Sequence, residues 1–412
     1  MDRGFCRDGR RRRPTPSRAG SATSNALRAP HFDAAIVGAG PAGSSLALRL
    51  ARAGRSVALI ERSRFPRTKV CGDYLSPSAL AAFDEAGVLD RVEQRAHRLR
   101  TISLTGFGLG PVRLKLPGRG ALALARSVLD ALMLDIALAA GARLHIGAYL
   151  SSVEHERRVD VAFRDAEGVE RSLTASVLIG ADGAWSSVAQ HSGLRTTQRT
   201  GGRWAVGGHL REQPDGDGDD VAMYLTAEGY YARNPLGGGL VNAMYVMPTA
   251  VAPERADVAV AAITNGRYAF DQGRLERKVA IGPLRYQPKR VASGRILLVG
   301  DAAGLLDPFT GQGVPMAVSS SRLAEQAVTY MLEGRDPARA ARTYAAAHDA
   351  LVRPRRFAAR VIDALLRTRP LRARLFRRVA RDVGAAESLL AAVAGADANA
   401  KISPKLVLGL LT

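Results

Sequence analysis

The chain has 412 residues, 47% of them hydrophobic and 24% charged, enough to bury a large core without metal or disulfide staples. That mix excludes collagen-like, mucin-like and wholly disordered classes, and an aromatic content of 5% argues against a base-stacking nucleic-acid surface. The net charge of +21 is largely local: residues 1–30 carry eight Arg against two Asp, and residues 351–382 carry eleven Arg against two Asp.

Residues 1–30 are expected to be a disordered basic extension. They are rich in Arg and Ser like a transit peptide, but they lack the apolar core of a secretory signal. Order is expected from His31. DAAIVG at 33–38 reads as a strand, AGPAGSSLALRLARAG as a turn and helix, and SVALIER as a second strand. Strand, glycine turn, helix, strand is a βαβ unit, which belongs to a parallel sheet. Residues 62–100 read as loop and helix, 102–124 as short strands, and 127–140 as a helix ending at Gly141. Residues 143–179 alternate as strands, with turns at EHERRVD and RDAEGVE. Residues 200–290 are rich in β-branched and aromatic residues and predict an antiparallel sheet. PDGDGDD at 214–220 is expected to be a solvated hairpin loop, without the spacing of a calcium loop. RILLVGD at 295–301 returns to the parallel pattern, and the chain from Val314 onward reads as helix. Ala121–Ala140 is the stretch nearest to a membrane span, but Arg126, Asp130 and Asp135 interrupt it.

Three motifs carry chemistry. In Gly38-Ala39-Gly40-Pro41-Ala42-Gly43 the first glycine allows a tight turn. The second lets backbone approach a pyrophosphate, and the third lets helix pack on strand. The helix N-terminus adds free N–H groups and the positive end of its dipole. Glu61, at the end of the next strand, is placed to accept both ribose hydroxyls of a dinucleotide. The second motif is LIGADG at 178–183 and the third is VGDAA at 299–303. Each is an apolar strand ending in Gly and Asp, where an open parallel sheet presents its ligand crevice.

These three motifs, with DPFTGQG at 307–313, resemble the FAD-dependent oxidoreductases of the aromatic-hydroxylase type. Lys69-Val70-Cys71-Gly72 is similar to the KxCG segment of the geranylgeranyl reductase family within that group. The resemblance implies an α/β fold: a Rossmann-like FAD-binding domain, an inserted antiparallel β-sheet substrate domain and a helical C-terminus. The expected division is FAD-binding segments 31–100, 126–195 and 291–350, substrate-domain strands 101–125 and sheet 196–290, and C-terminal helices 351–412. It further implies that Gly38, Gly40 and Gly43 face the FAD pyrophosphate and Glu61 the ribose. Arg126 is implied to contact FAD, Asp182 to close the site, and Asp301, after Gly300, to bond the ribityl chain. Pro308, Gly311 and Gly313 are implied to line the isoalloxazine. The segment Gly229–Pro235 keeps the Tyr230 and Pro235 of the family's YxWxFP pattern but has Ala232 and Asn234 in place of Trp and Phe.

The expected function is flavin-mediated reduction of carbon–carbon double bonds in an apolar prenyl, quinone or polyketide-type chain. The alternatives are a single-component FAD-dependent monooxygenase and a membrane-associated electron-transfer flavoprotein that reduces quinone. Cys71 is the candidate proton donor, or else only packs against the flavin; a low thiol pKa would need a cationic neighbour or a helix N-terminus, and Lys69 is a candidate for the first. Of Tyr230 and Tyr231 at most one can reach the pocket, because neighbouring strand residues face opposite sides. No metal site is expected, since the seven histidines show no ligand spacing. There is no second dinucleotide fingerprint, so the external reductant is expected to be visiting NAD(P)H or a redox protein. The two cysteines, Cys6 and Cys71, suit a cytoplasmic protein. The stretch 351–382 repeats apolar residues at helical spacing, from Phe357 to Val379. It reads as a cap on the FAD domain, or as a peripheral helix on an anionic membrane; nucleic acid is a poor fit.

Overall fold

The computed structural model describes residues 29–195, 202–212, 218–227, 229–248, 255–268, 275–284, 286–305 and 308–394. The basic extension therefore lies almost wholly outside the described residues. The first layer is a sheet with a parallel core. Its strands lie in the order Arg143–Glu154, Val57–Glu61, His31–Val37, Glu170–Gly180, Ile296–Leu298. The far half of Arg143–Glu154, the strand Val159–Asp165 and the near half of Glu170–Gly180 fold into an antiparallel meander over this sheet. Both faces are covered, so the strands are apolar throughout rather than alternating. Ala34 and Ile36 pack toward the helices Pro41–Arg52, Arg126–Ala139 and Gly313–Leu332. Ala35 and Val37 face the meander.

The second layer is a sheet in the order Glu276–Ile281, Arg203–Arg211, Leu240–Pro248, Tyr230–Gly237, Asp220–Leu225, Thr101–Gly106, Leu109–Lys115. Two features depart from the sequence reading. The sheet is not wholly antiparallel: Asp220–Leu225 pairs parallel to Thr101–Gly106. Those strands are distant in sequence, so no tight turn dictates their direction. Nor is 214–220 a hairpin loop. It connects Arg203–Arg211 to a strand three places away, and residues 213–217 lie outside the described part. Its end is tied down, because the Asp220 carboxylate accepts from the hydroxyls of Thr101 and Ser103, each at 2.6 Å.

The helical C-terminus also differs from a cap on the first sheet alone. Helix Pro337–Arg367 starts there, with Ala340, Ala341 and Tyr344 in that core. It then crosses to the second sheet, where Leu365 and Leu366 join Leu375, Phe376 and Val379 of helix Arg369–Arg381 and Ala386 of helix Val383–Ala394. Among the described residues no helix is long and apolar enough to cross a membrane.

Candidate active site

The C-terminal ends of His31–Val37, Glu170–Gly180 and Ile296–Leu298 open onto one cavity of about 740 Å³. At its floor, Gly38 has φ +101° and a Cβ there would strike the Ala181 carbonyl; a Cβ on Gly43 would strike the Gly38 carbonyl. Gly40 differs: a Cβ would meet only the Arg67 guanidinium, at 3.2 Å. The helix that follows has Pro41 in its first turn and no side-chain cap, so its first N–H groups remain for a ligand. Buried Glu61 accepts hydrogen bonds from the Ala39 and Ser63 N–H groups, both at 2.9 Å, and also lines the cavity.

Across the cavity, Asp182 accepts from the Ser186 hydroxyl and from the N–H groups of Ser187 and Val188. Burial pushes its carboxyl up, and these bonds oppose the shift. Asp301 and Lys69 both line the cavity. Burial raises the Asp301 carboxyl and lowers the Lys69 amine, and in each case the charge of the other counteracts. Pro308, Gly311, Gly313 and Gly300 complete this wall, and helix Gly313–Leu332 begins without a side-chain cap. Gly311 has φ +64°, and a Cβ there would lie 2.8 Å from the Tyr74 ring. Arg126 stands behind this wall rather than on it. Its fork holds buried Asp130 at 2.7 and 2.9 Å, with Arg67 on the same carboxylate at 3.1 Å.

Cys71 borders the main cavity and a small pocket behind it. The cation at its thiol is Arg126, where the sequence had suggested Lys69. Burial outweighs that cation and pushes the thiol up, so the proton stays on sulfur. The next residues fix this loop. Asp73 is buried at φ +54° and its carboxylate accepts from Asn242 Nδ2 at 2.8 Å and from the Arg126 N–H at 3.1 Å. Its Oδ2 also lies 2.7 Å from His209 Nε2. Asn242 and Asn234 donate to the carbonyls of Cys71 and Gly72 at 2.9 and 3.0 Å. The loop is thus bolted to the second sheet by His209, Asn234 and Asn242, of which the sequence marks only Asn234, and that as a departure from the family pattern rather than as a site residue. The one further signal was a polar pair, Asn234 and Asn242, directly opposite each other on apolar strands.

Above the Cys71 loop the cavity becomes an apolar chamber. Its walls include Ile102, Leu114, Met223 and Met244 from the sheet and Leu366, Phe376 and Leu390 from the C-terminal helices. Tyr230 faces it, against Phe309 at 5.2 Å between ring centroids, while Tyr231 is buried on the opposite face of the sheet. The helices had not been foreseen as chamber walls. Nor had Trp185, which borders the cavity at φ +66°, a strained backbone for a bulky residue. Among the described residues no cluster of His, Cys, Asp and Glu is suited to a metal.

The cradle fits FAD: glycines where a Cβ would intrude, two uncapped helix N-termini, and carboxylates at three strand ends, Glu61 buried and Asp182 and Asp301 half-buried on the cavity wall. Fold and site together define an FAD-dependent oxidoreductase. The chain belongs to the FAD binding domain family, which matches residues 31–354. It is 34% identical over 334 residues to a menaquinone reductase of Mycobacterium tuberculosis, covering 74% of this chain and 78% of that protein. With the chloroplastic geranylgeranyl diphosphate reductase of Oryza sativa it shares 27% identity over 380 residues, covering 85% and 79%. Two solved structures share the fold. A flavoprotein/dehydrogenase from Cytophaga hutchinsonii has a TM-score of 0.79 at 18% identity, covering 92% of this chain and 98% of that one. A geranylgeranyl bacteriochlorophyll reductase-like protein from Thermoplasma acidophilum has 0.74 at 21%, covering 93% and 96%.

Proposed function

We propose that this oxidoreductase reduces carbon–carbon double bonds in a long apolar metabolite, of prenyl, quinone or polyketide type. The observation that carries the reading is the chamber. It is continuous with the dinucleotide cradle, is lined mainly by aliphatic and aromatic side chains, and is closed by the C-terminal helices. The names of the menaquinone and geranylgeranyl diphosphate reductase relatives support a prenyl-bearing substrate.

Gly38, Gly40 and the N-terminus of the helix that follows them would hold the pyrophosphate of FAD, Glu61 the ribose and Asp301 the ribityl chain, while Gly43, expected at the pyrophosphate, instead packs that helix against the Gly38 carbonyl and does not line the cavity. Bound there, FAD supplies hydride-transfer chemistry. The chain does the rest. Sheet and helix side chains hold the substrate and exclude water. Ala232, half-buried on the chamber wall, leaves room where a Trp would fill it. Cys71 keeps its proton at Sγ, and addition of hydride to one alkene carbon needs that proton at the other. The bonds that Asn242 donates to the Cys71 carbonyl and the Asp73 carboxylate, and Asn234 to the Gly72 carbonyl, position it. The external reductant is NAD(P)H or a redox protein that reaches the site from outside.

The test is mass spectrometry of lipid-extract metabolites with and without the purified, reduced protein. A gain of two mass units supports reduction. A gain of sixteen makes it a monooxygenase. Oxidation of the reduced protein by quinone, with no metabolite altered, makes it an electron-transfer flavoprotein.

A further inference from the structure

We propose that the outer face of the helices closing the chamber docks on an anionic lipid surface. On helix Pro337–Arg367, residues Arg353, Phe357, Arg360, Ala364 and Arg367 recur at alternate spacings of four and three, and all are exposed. That spacing is one stripe of a helix. On helix Arg369–Arg381, Arg374, Arg377 and Arg381 form a second exposed stripe. The opposite faces, with Leu365, Leu366, Leu375 and Val379, are buried in the chamber wall.

The charge on the outer face is poorly neutralised. Asp363 and Asp382 are the only acids in 351–382. They are engaged by Arg203, Arg367 and Arg378. Arg353, Arg360, Arg369, Arg374, Arg377 and Arg381 have no acidic partner among the described residues. Two of the exposed large apolar side chains lie here, Phe357 at 51% within the first stripe and Val383 at 43% at the start of the next helix, Val383–Ala394. Guanidiniums in excess with an aromatic among them match the chemistry of a bilayer interface: anionic headgroups meet Arg, and the ring enters the acyl boundary. The chamber on the inner side gives such docking a use, and that clause rests on the reading of the substrate given above. The docking itself rests on charge and exposure alone.

The full chain, loaded with FAD, is sedimented with vesicles of phosphatidylcholine alone or with about one third phosphatidylglycerol, at about 0.1 M salt. Binding to the anionic vesicles only is expected, weakening as salt rises. Substituting Arg369→Gln, Arg374→Gln, Arg377→Gln and Arg381→Gln together should lower it at least about tenfold, with flavin absorbance and melting temperature unchanged. Phe357→Ser, at an exposed position, should lower it on its own and serves where the fourfold variant folds poorly. Equal binding to neutral vesicles, or binding untouched by both variants, would overturn the proposal. So would duplex DNA displacing the protein from the vesicles at equal charge, which would make the face a nucleic-acid surface. Loss of reductase activity with vesicle binding intact would count against the substrate reading and leave the docking standing.

Discussion

Asp73 shows how one residue sets the chemistry of its neighbours. A carboxylate in left-handed backbone is tolerable because short polar side chains bond locally there, and it gathers donors from Asn242 and the Arg126 backbone. The loop so fixed presents Cys71 with its proton retained by burial. If Cys71 donates that proton, Cys71→Ser should leave flavin reduction intact and slow reoxidation by substrate by about 10²–10⁴-fold, since a serine hydroxyl is a far weaker acid. Stopped-flow measurement of the two half-reactions separates them. Unchanged reoxidation would remove Cys71 from the mechanism, and equal slowing of both would indicate a disturbed flavin site.

The glycines of the cradle predict a contrast at the same scale. Gly40→Val puts methyl groups where a pyrophosphate must approach, and within the protein only the Arg67 guanidinium, paired with Asp130, stands in the way. It should abolish flavin binding and leave a folded, colourless protein. Gly43→Val drives a side chain into the backbone of Gly38 and should lose the fold itself. Circular dichroism and flavin absorbance on both variants test the pair; a yellow Gly40→Val protein would mean that the pyrophosphate lies elsewhere.

At the scale of elements, what was legible in the sequence was what is local. The glycine turn, the two strand-end Asp motifs and the C-terminal helices were all readable, because each is a contiguous pattern whose conformation its own residues determine. Partners were not. The periodicity of 351–382 gives a buried face but not the sheet it covers, so the helices' role as chamber wall was invisible. Nor could Arg126 be separated in sequence from a ligand-binding Arg, although Asp130 four residues on is the partner that holds its fork in the structure. The parallel strand pair escaped for the same reason, since pairing across more than a hundred residues leaves no local trace.

The chamber offers a prediction at this scale. Ala232→Trp should refill the space and impede long-chain substrates while leaving flavin content and reduction unchanged. The change lies on the chamber wall of the second sheet, whereas the Gly-rich cradle is built on the first. Shorter analogues should be affected least. Equal loss for short and long chains would argue that the substrate does not extend past Ala232.

On the scale of the whole molecule, helix Pro337–Arg367 ties the two sheets together, and its acid response should be measurable. His348 is buried at 5% exposure, and burial lowers its pKa from 6.5 to about 4, with Arg356 adding to the shift and Asp349 opposing it. The unfolded chain therefore takes up this proton at higher pH than the folded one. Stability from His348 is complete above pH 6.5 and is lost as pH falls toward 4, at about 1.4 kcal/mol per pH unit once below the unfolded value. By pH 5 the loss should be of order 2 kcal/mol. Asp182 and Asp301 act in the opposite sense, because burial raises their carboxyls and protonation favours the folded state. The raw melting curve therefore mixes both. The difference between the wild type and His348→Leu isolates the histidine: the two should diverge as pH falls from 7 to 5, with the variant losing less stability. Parallel pH profiles would show that His348 is protonated or solvated in the folded protein, and that this stretch of the helix is less firmly seated on the first sheet than its packing with Tyr344 indicates.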